Sequence, residues 1–199
     1  MVWEESIVHD VRLSSVGPGQ MSGSDVFHHP GGLDLAMKLH YLRVVYLFDS
    51  EASKDVTIMK IKDAMFSWFN HYFITCGRFR RSECGRPFIK CNDCGARFIE
   101  GNCSKTLEEW LAIKDCSLYK FLVSHQVIGP ELSFSPPVLF QVLLFPLILC
   151  LFNIIYSVMF SNINFIYFLF NGLGLDYQLR KKKTFFKIRR QEIKYRRIL

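Results

Sequence analysis

Residues 132–175 contain no charged residue, and this uncharged stretch limits the structures that the chain can form. A basic run follows: from residue 180 to the end, ten residues are Lys or Arg and Glu192 is the only acid. That run carries a formal charge of about +9 in a chain of +7, so residues 1–179 come out near −2. An uncharged apolar stretch needs a protein interior or a bilayer around it, whereas a run of like charge stays solvated. We therefore expect chemically distinct parts in one chain.

Composition excludes several classes of protein. The near-neutral balance before the basic run offers no basic face for nucleic acid, so no nucleic-acid partner is expected. Acidic residues at positions 4 and 5, with no long apolar run behind them, argue against a secretory signal. Seven cysteines without such a signal indicate free thiols in a reducing compartment. We expect the chain in the cytosol or at a cytosolic membrane face.

The order of the predicted elements indicates an α/β or α+β fold. A helix is expected where apolar residues recur three and four apart between Ile58 and Tyr72, capped by Ser53 or Asp55 and ended by Gly77. A second helix should begin at Thr106, since residues 106–109 form a capping box. Apolar and β-branched runs predict strands at residues 6–16, 39–48, 79–81, 87–91, 96–99 and 138–142.

Several of these segments resemble the N-terminal part of the plant BAHD family, the CoA-dependent acyltransferases that carry an HxxxD motif. The segments that carry the resemblance are residues 41–48, 61–65 with Cys76-Gly77-Arg78, 89–101, and 137–142 ending in Gln141-Val142. Cys76 stands where the family has alanine. The resemblance implies the N-terminal portion of a chloramphenicol-acetyltransferase-like domain, a mixed sheet with flanking helices, followed here by an apolar and then a basic tail.

Two further segments, residues 13–19 and 33–41, are similar to the eceriferum and Glossy clade of that family. Proteins of the clade act in extending very-long-chain acyl-CoAs for cuticular wax, beside the condensing enzyme of the fatty-acid elongase at the endoplasmic reticulum. The resemblance implies acyl-CoA as the family's substrate, with no other cofactor. It also implies a condensing enzyme as partner and a place at the cytosolic face of that membrane.

The family's catalytic motif is missing from these 199 residues. In the family, the His of HxxxD lies a little beyond the Gln-Val strand and removes the proton of the acceptor, for which it must lie within hydrogen-bond reach. The last histidine here is His125, and Gly129 stands where the Asp would follow it. The family's DFGWG motif and second domain are also missing, so we expect one wall of a two-domain tunnel. We assign no catalytic, cofactor-binding or metal-binding residue and expect an inactive chain.

The changes in composition divide the chain into three predicted parts. These are a partial acyltransferase-like domain at 1–142, an uncharged apolar segment at 143–175, and a disordered basic tail at 176–199. The apolar segment is rich in residues that A/T-rich codons encode, and the family commonly carries an intron after this Gln. A translated intron is therefore the preferred interpretation. The alternative is membrane contact, since residues 138–170 exceed the roughly 20 needed to span a bilayer. A non-functional gene-model product that cannot fold stably also stays open.

Three other patterns invite a functional interpretation, and a plainer one is preferred for each. Cys91-x-x-Cys94 provides only one close thiolate pair, so a turn before a strand is favoured over a zinc site. His28 and His29 lie in a Gly- and Pro-containing loop and are interpreted as surface residues. The apolar stripe that begins at Ile58 is interpreted as core rather than an acyl-chain groove.

Overall fold

The computed structural model describes residues 7–23, 25–36, 41–48, 56–112, 134–146 and 148–157. The elements within these ranges are, in chain order, β1 (Val8–Val16), β2 (Phe27–His28), α1 (Gly32–Ala36), β3 (Tyr41–Phe48), α2 (Ile58–Trp68), a 3-10 turn (Phe73–Cys76), β4 (Arg78–Arg81), β5 (Pro87–Lys90), β6 (Ala96–Cys103), α3 (Leu107–Ala112), β7 (Val138–Phe145) and β8 (Ile148–Ser157). They form a mixed α/β fold with two sheets, as the resemblance implied.

The larger sheet has five strands in the order β1-β6-β7-β8-β3. β6 and β7 run parallel, and the other three neighbouring pairs are antiparallel. β1 forms an edge of this sheet and carries a bulge between His9 and Arg12, where Asp10 has a φ of 51°. A bulge with left-handed backbone on an edge strand disrupts the regular edge to which a foreign strand could pair.

Helix α2 covers one face of the larger sheet, because its apolar residues fall on one side. Alternation along β6 and β7 turns Phe98, Phe140 and Val142 toward the same face. Lys62 of α2 also reaches this face, 3.8 Å from the Glu100 carboxylate and 4.8 Å from the centre of the Phe98 ring. The core that results contains Val56, Ile61, Met65, Trp68, Phe69, Cys76, Ala96, Phe98, Val138, Phe140 and Val142.

The opposite face of the larger sheet meets α3. The predicted capping box is present: the Thr106 amide donates to Glu109 Oε2 at 2.8 Å, and the Glu109 amide donates to Thr106 Oγ1 at 3.2 Å. This start directs the buried Trp110 onto Cys103, where the indole Nε1–H contacts the sulfur at 3.1 Å. Local sequence therefore fixes where this helix begins and which strand it covers.

The smaller sheet is antiparallel, with strand order β2-β5-β4. Its inner side chains Phe79, Ile89 and Cys91 are fully buried together. The turns on either side of β5 contain left-handed residues, with φ of 78° at Gly85, 51° at Asp93 and 81° at Gly95. The Gly85 turn joins β4 to β5. The second turn takes the chain from the smaller sheet into β6 within five residues.

Helix α2 differs from its prediction at both ends. It begins at Ile58 with Thr57 as its cap, the Thr57 hydroxyl accepting from the Lys60 amide at 3.2 Å; the predicted caps lie outside the described residues. It ends at Trp68 rather than running on to Gly77. Tyr72 lies beyond the helix but stacks on Trp68 at 4.4 Å between ring centres, so the apolar stripe continues after the helix has stopped.

The tail of the sequence joins the larger sheet. The strand expected at residues 138–142 continues to Phe145, and after a turn at Pro146 the chain returns as β8 between β7 and β3. Within the ranges that the structure describes, no helix combines the length and hydropathy of a bilayer-spanning segment. The boundaries at 142 and 175 stay predictions, and residues 158–199 lie outside the described part of the chain.

Candidate functional site at the junction of the two sheets

The histidines of the described chain do not gather into one site. His28 lies half-buried in β2, where burial lowers its pKa, partly opposed by the carboxylate of Asp34. His29 is exposed beside Phe88, and His71 is exposed just beyond α2. His125 lies outside the described residues.

Cys91 and Cys94, which were considered as zinc ligands, and the neighbouring Cys84 lie in different surroundings. Cys91 is buried, Cys94 is exposed at the next turn, and Cys84 is exposed at the tip of the β4–β5 hairpin. Among the residues that the structure describes, no three His, Cys, Asp or Glu side chains are grouped so that they could hold a metal ion. The Cys91-x-x-Cys94 sequence forms the turn before β6.

The most densely bonded polar group lies where the two sheets meet. The buried Arg78 at the start of β4 directs its guanidinium into the turn that precedes β6. Nη1 donates to the carbonyl oxygens of Gly77 and Gly95, both at 2.7 Å, and a longer contact at 3.4 Å joins Nη2 to the Cys94 carbonyl. We call this group, with the Cys76 carbonyl at 3.4 Å, the Arg78 junction.

Burial lowers the pKa of Arg78, yet a guanidinium remains charged at any physiological pH. Its charge is met here by main-chain carbonyl dipoles. Hydrogen bonds from a charged donor are stronger than those between neutral groups, so the junction ties β4 firmly to the start of β6. The sequence showed Arg78 only as part of a family motif, and nothing in its local pattern indicated a buried side chain.

Two glycines allow the backbones at the junction to approach closely. A Cβ on Gly77 would lie 2.5 Å from the Lys90 carbonyl oxygen and 2.6 Å from Ile89 Cγ2. A Cβ on Gly95 would lie 2.7 Å from the Val16 carbonyl oxygen, and its φ of 81° disfavours any other residue. The Cys76-Gly77-Arg78 sequence therefore has a physical reason: the glycine admits the neighbouring strand and the arginine bonds across it.

A serine and an aspartate extend the junction to the loop after β1. The Ser22 hydroxyl donates to Asp93 Oδ1 at 2.7 Å, and the Ser22 amide donates to Asp93 Oδ2 at 2.8 Å. Asp93 thereby fixes the loop, and its left-handed φ of 51° suits a residue with a short polar side chain. Sequence reasoning missed this pair, because 71 residues separate its members.

The thiol nearest the junction is a poor nucleophile. Burial raises the pKa of Cys76 to about 12, so the thiolate is scarce at neutral pH. Burial also raises the pKa of Cys91, with a contribution from the Asp93 carboxylate. Neither cysteine can therefore attack a thioester readily, and the junction positions backbone rather than a reacting group.

The stripe on α2 is core, as interpreted from the sequence. Ile61, Met65 and Trp68 are at most 1 % exposed and pack against the larger sheet. Gln141 is buried in β7, and alternation places it on the face away from α2, because Phe140 and Val142 both join the α2 core. After β7 this chain supplies a turn and β8, and none of its six histidines is followed by Asp four residues later.

Comparison with known proteins identifies relatives of this chain. A model of the Transferase family matches residues 32–146. ECERIFERUM 26 of Arabidopsis thaliana is 52 % identical over 134 residues, which cover 67 % of this chain and 31 % of that protein. ECERIFERUM 2 of the same plant is 40 % identical over 151 residues, covering 70 % and 35 %. The chain therefore spans about a third of the length of these relatives.

Solved structures share the fold. Vinorine synthase aligns with a TM-score of 0.61 at 13 % identity, covering 76 % of this chain and 38 % of the synthase. The TRI101 protein of F. graminearum, solved with coenzyme A and T-2 mycotoxin, aligns with a TM-score of 0.50 at 12 % identity, covering 81 % and 39 %. At such identities the alignments establish a common fold.

Proposed function

Because this chain belongs to the Transferase family of HxxxD-type (BAHD) acyltransferases, we propose that it serves the extension of very-long-chain acyl-CoAs for cuticular wax. The observation that carries the proposal is the 52 % identity to ECERIFERUM 26 over 134 residues. The sequence resemblance to the eceriferum and Glossy clade gives this role its content. The proposal concerns the part of the relatives that this chain matches, which is about a third of their length.

The proposed role of these 199 residues is not catalytic. An acyl transfer needs a base within hydrogen-bond reach of the acceptor proton, and the chain has no His-x-x-x-Asp sequence. The raised pKa of Cys76 argues against a covalent route through that thiol. The family's substrate is acyl-CoA, and the TRI101 structure contains coenzyme A. This chain would provide at most one wall of a tunnel that binds such a ligand.

The proposed partner is the condensing enzyme of a fatty-acid elongase. A protein without its own base can still affect elongation by binding the enzyme that forms the carbon–carbon bond. Such a role would bring the chain to the cytosolic face of the endoplasmic reticulum, with membrane contact through residues 143–175 as a further element of the proposal. Because β7 and β8 lie inside the larger sheet, that contact would have to come from the part of the segment that follows β8. The resemblance supports the partner, and the uncharged composition supports the membrane contact.

Two measurements test the proposal. Purified chain incubated with very-long-chain acyl-CoA and candidate alcohol or amine acceptors should give no transfer and no thioester hydrolysis above the background of the buffer. Yeast expressing a plant condensing enzyme should make longer acyl chains when this chain is co-expressed, measured by gas chromatography. Turnover by the purified chain would contradict the non-catalytic role, and an unchanged product distribution would contradict the role in elongation.

The composition change after Val142 favours one other candidate, a gene-model product without a role in the cell. Sequencing of the transcript distinguishes the two. Reads that join the Gln141 codon to sequence encoding H-x-x-x-D would assign residues 142–199 to an intron. Reads that continue through residues 143–199, together with accumulation of the protein in the plant, would contradict that candidate.

A further inference from the structure

The outer face of the smaller sheet carries aromatic rings and cations in contact with one another. Register places these side chains on one side, because Phe27 pairs with Lys90 and Arg80 pairs with Phe88, whereas Phe79 and Ile89 point inward. We call this surface the aromatic–cationic face. Its members are Phe27, His29, Arg80, Phe88, Lys90 and Phe134.

The members form one connected surface. The rings of Phe27 and Phe88 meet edge to face with 5.7 Å between centres, and the Lys90 ammonium lies 5.9 Å from the centre of the Phe27 ring. At the other end, the Arg80 guanidinium carbon lies 3.6 Å above the Phe134 ring. Two of these rings remain open to solvent: Phe27 is 47 % exposed and Phe134 is 66 % exposed.

Arg80 and Lys90 give this face positive charge that no salt bridge to another described residue offsets. Between residues 78 and 90 the chain has five cations and one acid, Glu83, whereas residues 1–179 as a whole come out near −2. The ion pairs found between described residues include His9 with Asp10 and Lys62 with Glu100, and none of them involves Arg80 or Lys90. The face is therefore a locally positive patch on a mildly acidic domain.

The backbone holds Phe134 on this face at a cost. Its φ is 65°, a region that a bulky residue rarely adopts. Two hydrogen bonds to β4 hold the segment in place: the Phe134 amide donates to the Phe79 carbonyl at 3.1 Å, and the Phe79 amide donates to the Ser135 carbonyl at 3.0 Å. Glycine would occupy this position with less strain, so the ring is held in the solvent at the expense of a strained backbone.

We propose that the aromatic–cationic face is a docking surface for an acidic segment of a partner protein, one that also brings an apolar side chain to Phe27 and Phe134. This inference rests on the proposed function, in which the partner is the condensing enzyme. Exposed aromatic residues and arginine are the side chains that carry most binding energy at protein interfaces. The positive charge selects carboxylates in the partner.

The stacking of Arg80 on Phe134 favours a protein partner over a bilayer. A guanidinium that covers the ring face would have to enter the hydrocarbon with the ring, and a cation is costly there. The same stacking leaves the edge of the guanidinium available for a carboxylate, which it binds through two parallel hydrogen bonds. An acidic protein segment satisfies both groups at once.

The inference is tested by measuring the dissociation constant between the full 199-residue chain and a purified condensing enzyme by biolayer interferometry. Phe134→Gly removes the ring while relieving the backbone, and Arg80→Glu reverses the charge. Each should weaken binding by about tenfold or more without lowering the unfolding midpoint. The control variants Arg12→Glu and Met59→Ala change an exposed cation and an exposed apolar residue elsewhere, and both should bind as the unaltered chain does.

The possible failures are distinguishable. If the unaltered chain binds the condensing enzyme and both face variants bind equally well, the docking surface is wrong and the proposed partner stands. If the unaltered chain does not bind, the proposed partner falls and the inference falls with it. If only binding to vesicles of phosphatidylcholine and phosphatidylserine depends on Arg80 and Phe134, the face contacts a membrane and the inference is overturned.

Discussion

Nη1 of Arg78 lies 2.7 Å from the carbonyl oxygen of Gly95, a contact that joins the first residue of β4 to the residue before β6. β4 belongs to the smaller sheet and β6 to the larger one, so the contact bridges the two sheets. A buried cation is costly unless its donors are bonded, and here main-chain carbonyls take that role. The relationship gives a physical reason to expect that Arg78 stabilises the fold without a salt bridge to a described acid.

Arg78→Met should destabilise the fold by about 3 kcal/mol, because it removes the charged donor and leaves buried carbonyls without it. Urea unfolding followed by circular dichroism measures the change. Arg12→Met, on an exposed position of the edge strand β1, is the matched control and should shift stability by no more than about 0.5 kcal/mol. Equal effects of the two substitutions would show that the Arg78 junction does not contribute to the free energy of unfolding.

Gly77→Ala should lower stability by about 2 to 3 kcal/mol, since the new methyl group would lie 2.5 Å from the Lys90 carbonyl oxygen and the strands would have to separate. Gly32→Ala provides the comparison: nothing lies within 4 Å of its added Cβ, and alanine favours the helix there. Thermal unfolding of both variants is the measurement. A Gly77→Ala chain as stable as its parent would contradict the close approach.

Stability should fall with rising pH above about 9, more steeply than in a Cys76→Ala variant. Burial raises the folded-state pKa of Cys76 to about 12, so between 9 and 12 the unfolded thiol loses its proton while the folded one keeps it. Each pH unit in that window should cost about 1.4 kcal/mol at most. Urea unfolding at several pH values, compared between the two chains, isolates this thiol from other titrating groups; parallel curves would refute the prediction.

A chain ending at residue 146 should lose cooperative unfolding, whereas one ending at residue 157 should keep it. The shorter chain lacks β8, so β7 loses its antiparallel neighbour and β3 loses the strand with which it pairs. Open strand edges with apolar sequence associate, so we also expect soluble aggregates. Size-exclusion chromatography and thermal unfolding of the two chains decide the matter, and a monomeric, cooperative 146-residue chain would contradict the role given to β8.

Sequence reasoning succeeded where the signal was local. The capping box at Thr106 and the turn at Cys91-x-x-Cys94 before a strand depend on residues within a few positions of one another, and both are present. The resemblance added the fold, because motifs spread along the chain identified the family. The two-residue strand β2 was missed, since so short a strand has no periodicity to detect.

The remaining differences come from contacts between distant residues. Arg78 could not be predicted to be buried, because its acceptor Gly95 follows 17 residues later through a turn. The end of α2 was placed too late because Tyr72 stacks on Trp68 and continues the apolar stripe. Residues 148–157 were considered as a membrane segment, since a strand inside a sheet and a span within a bilayer are both uninterrupted apolar runs.

β8 lies between β7 and β3 and is the only described strand that links β3 to the rest of its sheet. Ten residues from the part of the chain that departs from the family pattern therefore complete a fold that the family pattern began. Whatever the genomic history of this segment, a frameshift or stop codon just before it would remove the strand with which β3, about a hundred residues earlier in the chain, is paired. Without these ten residues, β3 would have no described strand beside it and β7 would have an open edge.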